Sequence, residues 1–256
     1  MSKNTPERRE ARKQRAAEAL RQKQAEERRR RIVAIVSVVA AVVVIVGGLT
    51  WWQSSRDTSG KVADTVPSIA SGSGASDGTP AELDGYGIFI GDADAPSTVT
   101  VYEDLQCPAC ANLEAQLGQP LAAAVDAGKV RLEYRMISFL DRASTNEYSS
   151  RALNAALAVL DTAGVDAFRA FHDDLYAHQP EEGGAGFTDD ELVDRAVAAG
   201  ATESEVRPQV EGKVYEQWIK NATDQMSKDG YNSTPTILID GKESDPQALA
   251  DLVQGS

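Results

Sequence analysis

Residues 97–129 read STVTVYEDLQCPACANLEAQLGQPLAAAVDAGK, and the pattern changes its period at Cys107. Ser97 to Glu103 is rich in β-branched residues and reads as a strand, whereas the stretch after Pro108 is rich in helix formers and stops at Gly128. Val130 to Ile137, VRLEYRMI, alternates and reads as a second strand. A crossover of this length allows the two strands to pair in parallel. Thr236 to Asp240, TILID, reads as a third strand; Asp240-Gly241 signals a hairpin turn into a very short partner, and Pro246 to Val253 a final helix.

The roughly 90 residues between the second and third strands are helical by periodicity. Ser144 with Glu147 and Thr188 with Glu191 stand at capping-box spacing, followed by Leu153, Leu157 and Leu160 in one case and Leu192, Val193, Ala196 and Val197 in the other. Val206, Val210, Val214, Trp218, Ala222 and Met226 read as one further long helix, with Gly164, Gly200 and Gly230 at helix ends. A helical insertion, about 141–230, therefore interrupts an α/β unit.

The chemistry is concentrated at Cys107 and Cys110, which are the chain's two cysteines. With two histidines besides, the four ligands of a closed zinc site are missing unless a second chain supplies them, so redox chemistry stands ahead of metal binding or a static disulfide. Cys107 opens a helix, where unpaired N–H groups and the helix dipole favour a negative sulfur; it is the expected nucleophile. Pro108 suits the first helical turn, where its missing N–H costs little. Cys110, one turn on, is placed to attack a mixed disulfide formed by Cys107. Glu103 and Asp104 are the nearby acids and candidates for proton transfer, although acids at a strand end are expected in solvent. His172 and His178 do not share a helix face at metal-binding spacing and read as surface or packing residues. No metal or cofactor is expected.

Composition sets the surroundings. The 256 residues are 42% hydrophobic and 25% charged, with a net charge of -13. Residues 1–31 carry 12 Lys or Arg against 5 Glu, so the remainder is strongly acidic, and a nucleic-acid partner is not expected. That basic segment reads as a cytoplasmic tail. Ile32 to Leu49 is uncharged and apolar, flanked by Arg28 to Arg31 on one side and Trp51 and Trp52 on the other. Residues 32–52 therefore read as an uncleaved transmembrane signal anchor in membrane lipid, with everything beyond Trp52 outside the cytoplasm. Residues 53–83, in which Ser, Gly, Thr and Pro fill 16 of 31 positions, read as a flexible tether with a reach of roughly 30 Å. Residues 84–256 are left as the working domain.

Gly91 to Cys110 (GDADAPSTVTVYEDLQCPAC), the helical insertion, and Gly230 to Thr236 (GYNSTPT) before Asp240-Gly241 together resemble a DsbA-type thiol:disulfide oxidoreductase. The resemblance implies a thioredoxin-like α/β fold with an inserted helical subdomain. It also implies a cis Pro235 beside the dithiol and a Thr234 whose backbone meets an extended substrate peptide. Two departures stand out. Ala109 occupies the place before the second cysteine where the best-known oxidant of the family has a histidine, so the thiolate loses an imidazolium and oxidising power should be weaker. Val101 occupies the place, six before the first cysteine, where many members keep a buried carboxylate.

The function that follows is an anchored enzyme passing its disulfide to reduced exported proteins. The family further implies a membrane reoxidant of the DsbB or vitamin K epoxide reductase-like type. A thiol reductase for extracytoplasmic cysteines, and a non-catalytic peptide-binding module with a static disulfide, are the alternatives; the reduction potential separates them.

Overall fold

The computed structural model of the protein describes residues 61–70 and 79–255. Contacts divide the chain into two units, Met1–Asp57 and Thr58–Ser256, and every described residue belongs to the second. The basic tail and the apolar run 32–52 lie outside the described residues. Among the described residues no helix is long and apolar enough to cross a membrane.

A six-stranded sheet forms the frame, with strand order β1-β2-β4-β3-β5-β6. The strands are β1 (Ala81–Asp84), β2 (Gly87–Ile90), β3 (Ser97–Glu103), β4 (Val130–Met136), β5 (Thr236–Ile239) and β6 (Lys242–Ser244). β3 and β4 pair in parallel, Ser97 opposite Val130 through Glu103 opposite Met136, as the crossover between them requires. The other pairings are antiparallel. Asp240 and Gly241 both take positive φ in the β5–β6 turn, the backbone that an Asp-Gly hairpin favours.

The β1–β2 hairpin is absent from the sequence reading, and it moves the start of the domain. Ala81 to Leu83, assigned to the tether, are part of the sheet. Residues 61–70 also lie on the domain. Pro67 is buried, the Ser68 N–H and hydroxyl donate to Asp161, the Ala70 N–H donates to the Leu160 carbonyl, and Asn221 donates to the Lys61 carbonyl. Ala63 and Ile69 pack against the core as well, but isolated apolar residues and backbone bonds to distant partners leave no periodic pattern, so composition alone reads this strap as free chain.

The crossover helix begins as α1 (Pro108–Leu113), passes through a π-helical turn at Glu114–Gly118 and continues as α2 (Gln119–Asp126). Pro120 has no N–H to give to a carbonyl one turn back, which accounts for the change of register just before it.

In the insertion, α3 (Tyr148–Ala177) is two helical segments that meet in a kink at Gly164, whose φ of 85° and ψ of -175° are non-helical, so this glycine does stand at a helix end. Its start differs from the expected capping box: Glu147 is left-handed, and the Ser144 hydroxyl accepts from the Tyr148 N–H. The Thr188–Glu191 box does form, at the head of α4 (Asp189–Ala198). The expected long helix through Val206 and Met226 is two helices, α5 (Glu203–Glu211) and α6 (Glu216–Lys228). Buried Asn154 holds the break. Its amide donates to the Gln209 carbonyl, and its oxygen accepts the Tyr215 N–H. A polar side chain from another helix thus satisfies groups that an unbroken helix would pair internally. α7 (Pro246–Gln254), capped by Asp245, closes the chain.

Candidate active site

β3 delivers its last side chains to the C-terminal end of the parallel pair, where ligand and catalytic sites of open α/β sheets form. The chain then turns sharply: the Cys107 N–H donates to the Asp104 carbonyl at 2.9 Å, and the Asp104 carboxylate accepts the Gln106 N–H at 2.9 Å. Cys107 is left as the N-cap of α1, with extended φ and ψ and Pro108 following in the first turn. Pro108 and Ala109 are exposed, Cys107 retains 7% of its surface, and Cys110 retains 0%. Both cysteines are free thiols.

The two sulfurs are unequal. Cys107 is lowered from the ordinary thiol range to about 6, chiefly by a hydrogen bond from the Cys110 thiol, then by the Thr234 side chain and the backbone N–H groups of Cys110 and Ala109, against the opposing effect of burial. Cys110 moves the other way, well above its ordinary value, because the same bond favours its proton, burial penalises its charge, and Glu103 adds a like charge. The Thr234–Pro235 bond is cis, and the Thr234 carbonyl lies 3.4 Å from Cys107 Sγ.

Glu103 and Asp104 are not solvated as the sequence suggests: both are fully buried, because α3 covers this end of β3. Asp104 is a brace. It accepts from the Gln106 N–H, from Ser149 Oγ at 2.6 Å and from the Leu140 N–H at 2.8 Å, and burial raises it to about 6 despite these bonds. Glu103 meets His172 Nε2 at 2.6 Å through Oε1, while Oε2 has no hydrogen-bond partner among the described residues. Val101 and Glu103 are two apart on a strand and share a face, so the carboxylate missing at Val101 is present at the same face two residues later.

His172, read from the sequence as a surface or packing residue, is buried against Glu103 beneath the dithiol. Burial opposes its charge, but the negative charge of Glu103, aided by Asp173 and Glu114, raises it to about 10. Tyr134 packs tilted and Tyr176 edge-on against it, with ring centroids 4.7 and 4.9 Å away. A signal was present: Phe168, Phe171, Leu175 and Tyr176 mark the buried face of the helix, and His172 falls within it. His178 is an exposed residue beside Asp174.

Ligand atoms of Glu103, Glu114 and His172 lie within 4.8 Å of one another, one such group among the described residues. The Glu103 bond already engages Nε2 of the imidazole. Glu114, at the head of the π-helical turn, is raised to about 7 by burial and by Glu103, so the cluster lowers its excess negative charge by holding protons.

A parallel β–α–β unit, a helical insertion, and a CxxC at a helix start facing a cis proline define a DsbA-type thiol:disulfide oxidoreductase. The thioredoxin family matches residues 83–254, and the chain belongs to it. The reduced DsbA of Mycobacterium tuberculosis is 30% identical over 67% of this chain and 92% of its own, with a TM-score of 0.58. For the reduced DsbG of the same organism the values are 31%, 65%, 85% and 0.57. The MdbA thiol-disulfide oxidoreductase of Corynebacterium diphtheriae, at 24% identity, shares the fold over 77% of this chain and all of its own, with a TM-score of 0.61. Among curated proteins, the serine/threonine-protein kinase PknE of M. tuberculosis is 27% identical over 179 residues, and the chain spans 31% of that protein's length.

Proposed function

We propose that the protein is a membrane-anchored, extracytoplasmic oxidant that passes a Cys107–Cys110 disulfide to the thiols of exported proteins. The observation that carries the reading is the geometry of the pair, with Cys107 at a helix start 3.4 Å from the carbonyl before cis Pro235, and the lowering of Cys107 to about 6 supports the direction. A stabilised thiolate favours the reduced enzyme, and a pair that favours being reduced gives up its disulfide readily. At pH 7 an acidity one unit below ambient stabilises the reduced form about tenfold, or about 30 mV. That is a moderate bias, in keeping with Ala109.

In the forward step a substrate thiolate attacks Cys107 Sγ. The Cys107–Cys110 bond breaks, Cys110 leaves with the electron pair and takes up a proton, and a mixed disulfide joins substrate to Cys107. A second substrate thiolate then attacks the substrate sulfur of that bond and releases the Cys107 thiolate. The substrate loses two electrons and the enzyme gains them. Thr234 and Pro235 line the approach, with the Thr234 carbonyl offered to an extended peptide. Of the two acids, Glu103 is assigned proton exchange with Cys110, since its charge acts on that thiol and Oε2 has no partner among the described residues, whereas both oxygens of Asp104 are occupied by Gln106, Ser149 and Leu140.

The apolar run 32–52 and its flanking arginines support anchoring in lipid, with the domain on the far side. Two electrons per cycle must leave the dithiol, and a membrane oxidant of the DsbB or vitamin K epoxide reductase-like type fits that need. Equilibration with glutathione and oxidation of a reduced model protein test the direction. A potential well above that of glutathione, with turnover, supports the oxidant, and a thioredoxin-like low potential replaces it with a reductase. Protease added to intact protoplasts should remove the domain; full protection would defeat the topology.

A further inference from the structure

Every residue from Glu103 to Cys107 is hydrogen-bonded to the helical insertion. Glu103 meets His172, and Asp104 meets Ser149 and Tyr176. The Gln106 amide donates to the Glu181 and Gly184 carbonyls at 3.1 and 3.2 Å. The remaining two residues are held by one side chain: Gln179 Nε2 donates to the Leu105 carbonyl at 3.1 Å and to the Cys107 carbonyl at 3.0 Å.

The Cys107 carbonyl also accepts the Ala111 N–H at 3.1 Å, the bond that opens α1. Its oxygen therefore takes two donors, one from the helix that carries the dithiol and one from the insertion. Gln179 is half-buried, two residues beyond the end of α3, so its backbone is fixed by the same helix that places His172. An amide that donates both to Leu105, inside the Asp104–Cys107 turn, and to the carbonyl of Cys107 at its end braces the corner between β3 and α1. Its positive end lies on the nucleophile's own residue.

We propose that Gln179 is a positioning residue for the dithiol, pinning the Leu105 and Cys107 carbonyls so that Cys107 keeps its N-cap conformation and its sulfur gains a fixed positive dipole nearby. The insertion thereby acts on the reactivity of Cys107 without touching substrate. This proposal rests on Cys107 being the nucleophile.

The test replaces Gln179 by Ala, Glu and Lys in the full chain. Alanine removes the donor, glutamate sets a carboxylate against two carbonyl oxygens, and lysine keeps a donor and adds positive charge. The Cys107 acid constant is read from thiolate absorbance against pH, and the dithiol potential from glutathione equilibria. Acidity should fall in the order Lys, Gln, Ala, Glu, with Gln179→Glu at least tenfold weaker than the parent. At pH 7 that weakening makes the dithiol about fivefold more reducing in its equilibrium with glutathione. Gln179→Lys should restore what Gln179→Ala loses, a recovery that simple loosening of the corner does not give. If all three variants keep the parental acidity and potential, whatever their melting temperatures, the proposal is overturned. A parent whose Cys107 titrates as an ordinary thiol would instead remove the nucleophile assignment on which it rests.

Discussion

Replacing His172 by leucine isolates the buried charge beneath the dithiol. In the parent, Glu103 and His172 are both almost fully buried and 2.6 Å apart, with the imidazole raised to about 10. His172→Leu leaves a buried carboxylate without the imidazole that meets it. Breaking a buried pair from one side costs about 3–5 kcal/mol. The alternative for the protein is to protonate the acid: an ordinary glutamate titrates near about 4.3, so holding one protonated at pH 7 costs about 3.7 kcal/mol, which caps the loss. About 3–3.7 kcal/mol is therefore expected, or roughly 6–15 °C in melting temperature for a domain of this size. The pH dependence carries the argument. A histidine raised in the folded state contributes fully below its unfolded value near 6.5 and loses that contribution as pH rises through about 10. The deficit of the variant should be largest near pH 7, shrink toward pH 4 as the acid takes its proton at no cost, and shrink again toward pH 10. Glu103→Gln should cost less, because an unpaired His172 can turn neutral near pH 7 cheaply. Urea denaturation across pH 4–10 measures both variants. A His172→Leu deficit below about 1 kcal/mol, or one equal at pH 4 and pH 7, would refute an ionised pair.

Two further substitutions probe the site and the insertion beside it. Ala109→His restores an imidazole before the second cysteine and should acidify Cys107 about tenfold, making the dithiol more oxidising by about 30 mV; a glutathione titration showing the variant equal to or more reducing than the parent would count against the electrostatic account. Gly186 has φ +64°, and a Cβ there would lie 2.1 Å from the ring of fully buried Tyr148. Gly186→Ala should therefore cost about 3 kcal/mol, visible as a lowered urea midpoint with unchanged slope, and a neutral result would show that the loop relaxes.

The sequence made legible what depends on local chemistry. The limits of β3 and the place of Cys107 at a helix start follow from propensity, and so does the turn at Asp240-Gly241. The resemblance added the cis Pro235. What it left obscure depends on partners distant in the chain. Glu103 looked solvated because a strand end is usually open, and only α3, some 70 residues away, buries it. Asn154 breaks a helix whose valine periodicity runs on past the break. Four-residue strands such as β1 carry too little pattern to show alternation. The buried cation was half legible: His172 lies on an apolar helical face, but only the fold brings a carboxylate to it.

The central claim is that Cys107 exchanges disulfides with protein thiols, while Cys110 is the thiol released when the pair is spent and the one thiol within the chain that can undo a mixed disulfide by returning to Cys107. Removal of the resolving thiol tests it most directly, because linkages formed by Cys107 then have no thiol within the chain to undo them. Cys110→Ala, expressed in cells, should accumulate covalent adducts with exported cysteine-containing proteins and with the membrane reoxidant. All of these should disappear on reduction, and Cys107→Ala should accumulate none. If Cys110→Ala yields no reducible adducts while the parent also fails to oxidise a reduced model protein, the dithiol is a static feature and the account is wrong.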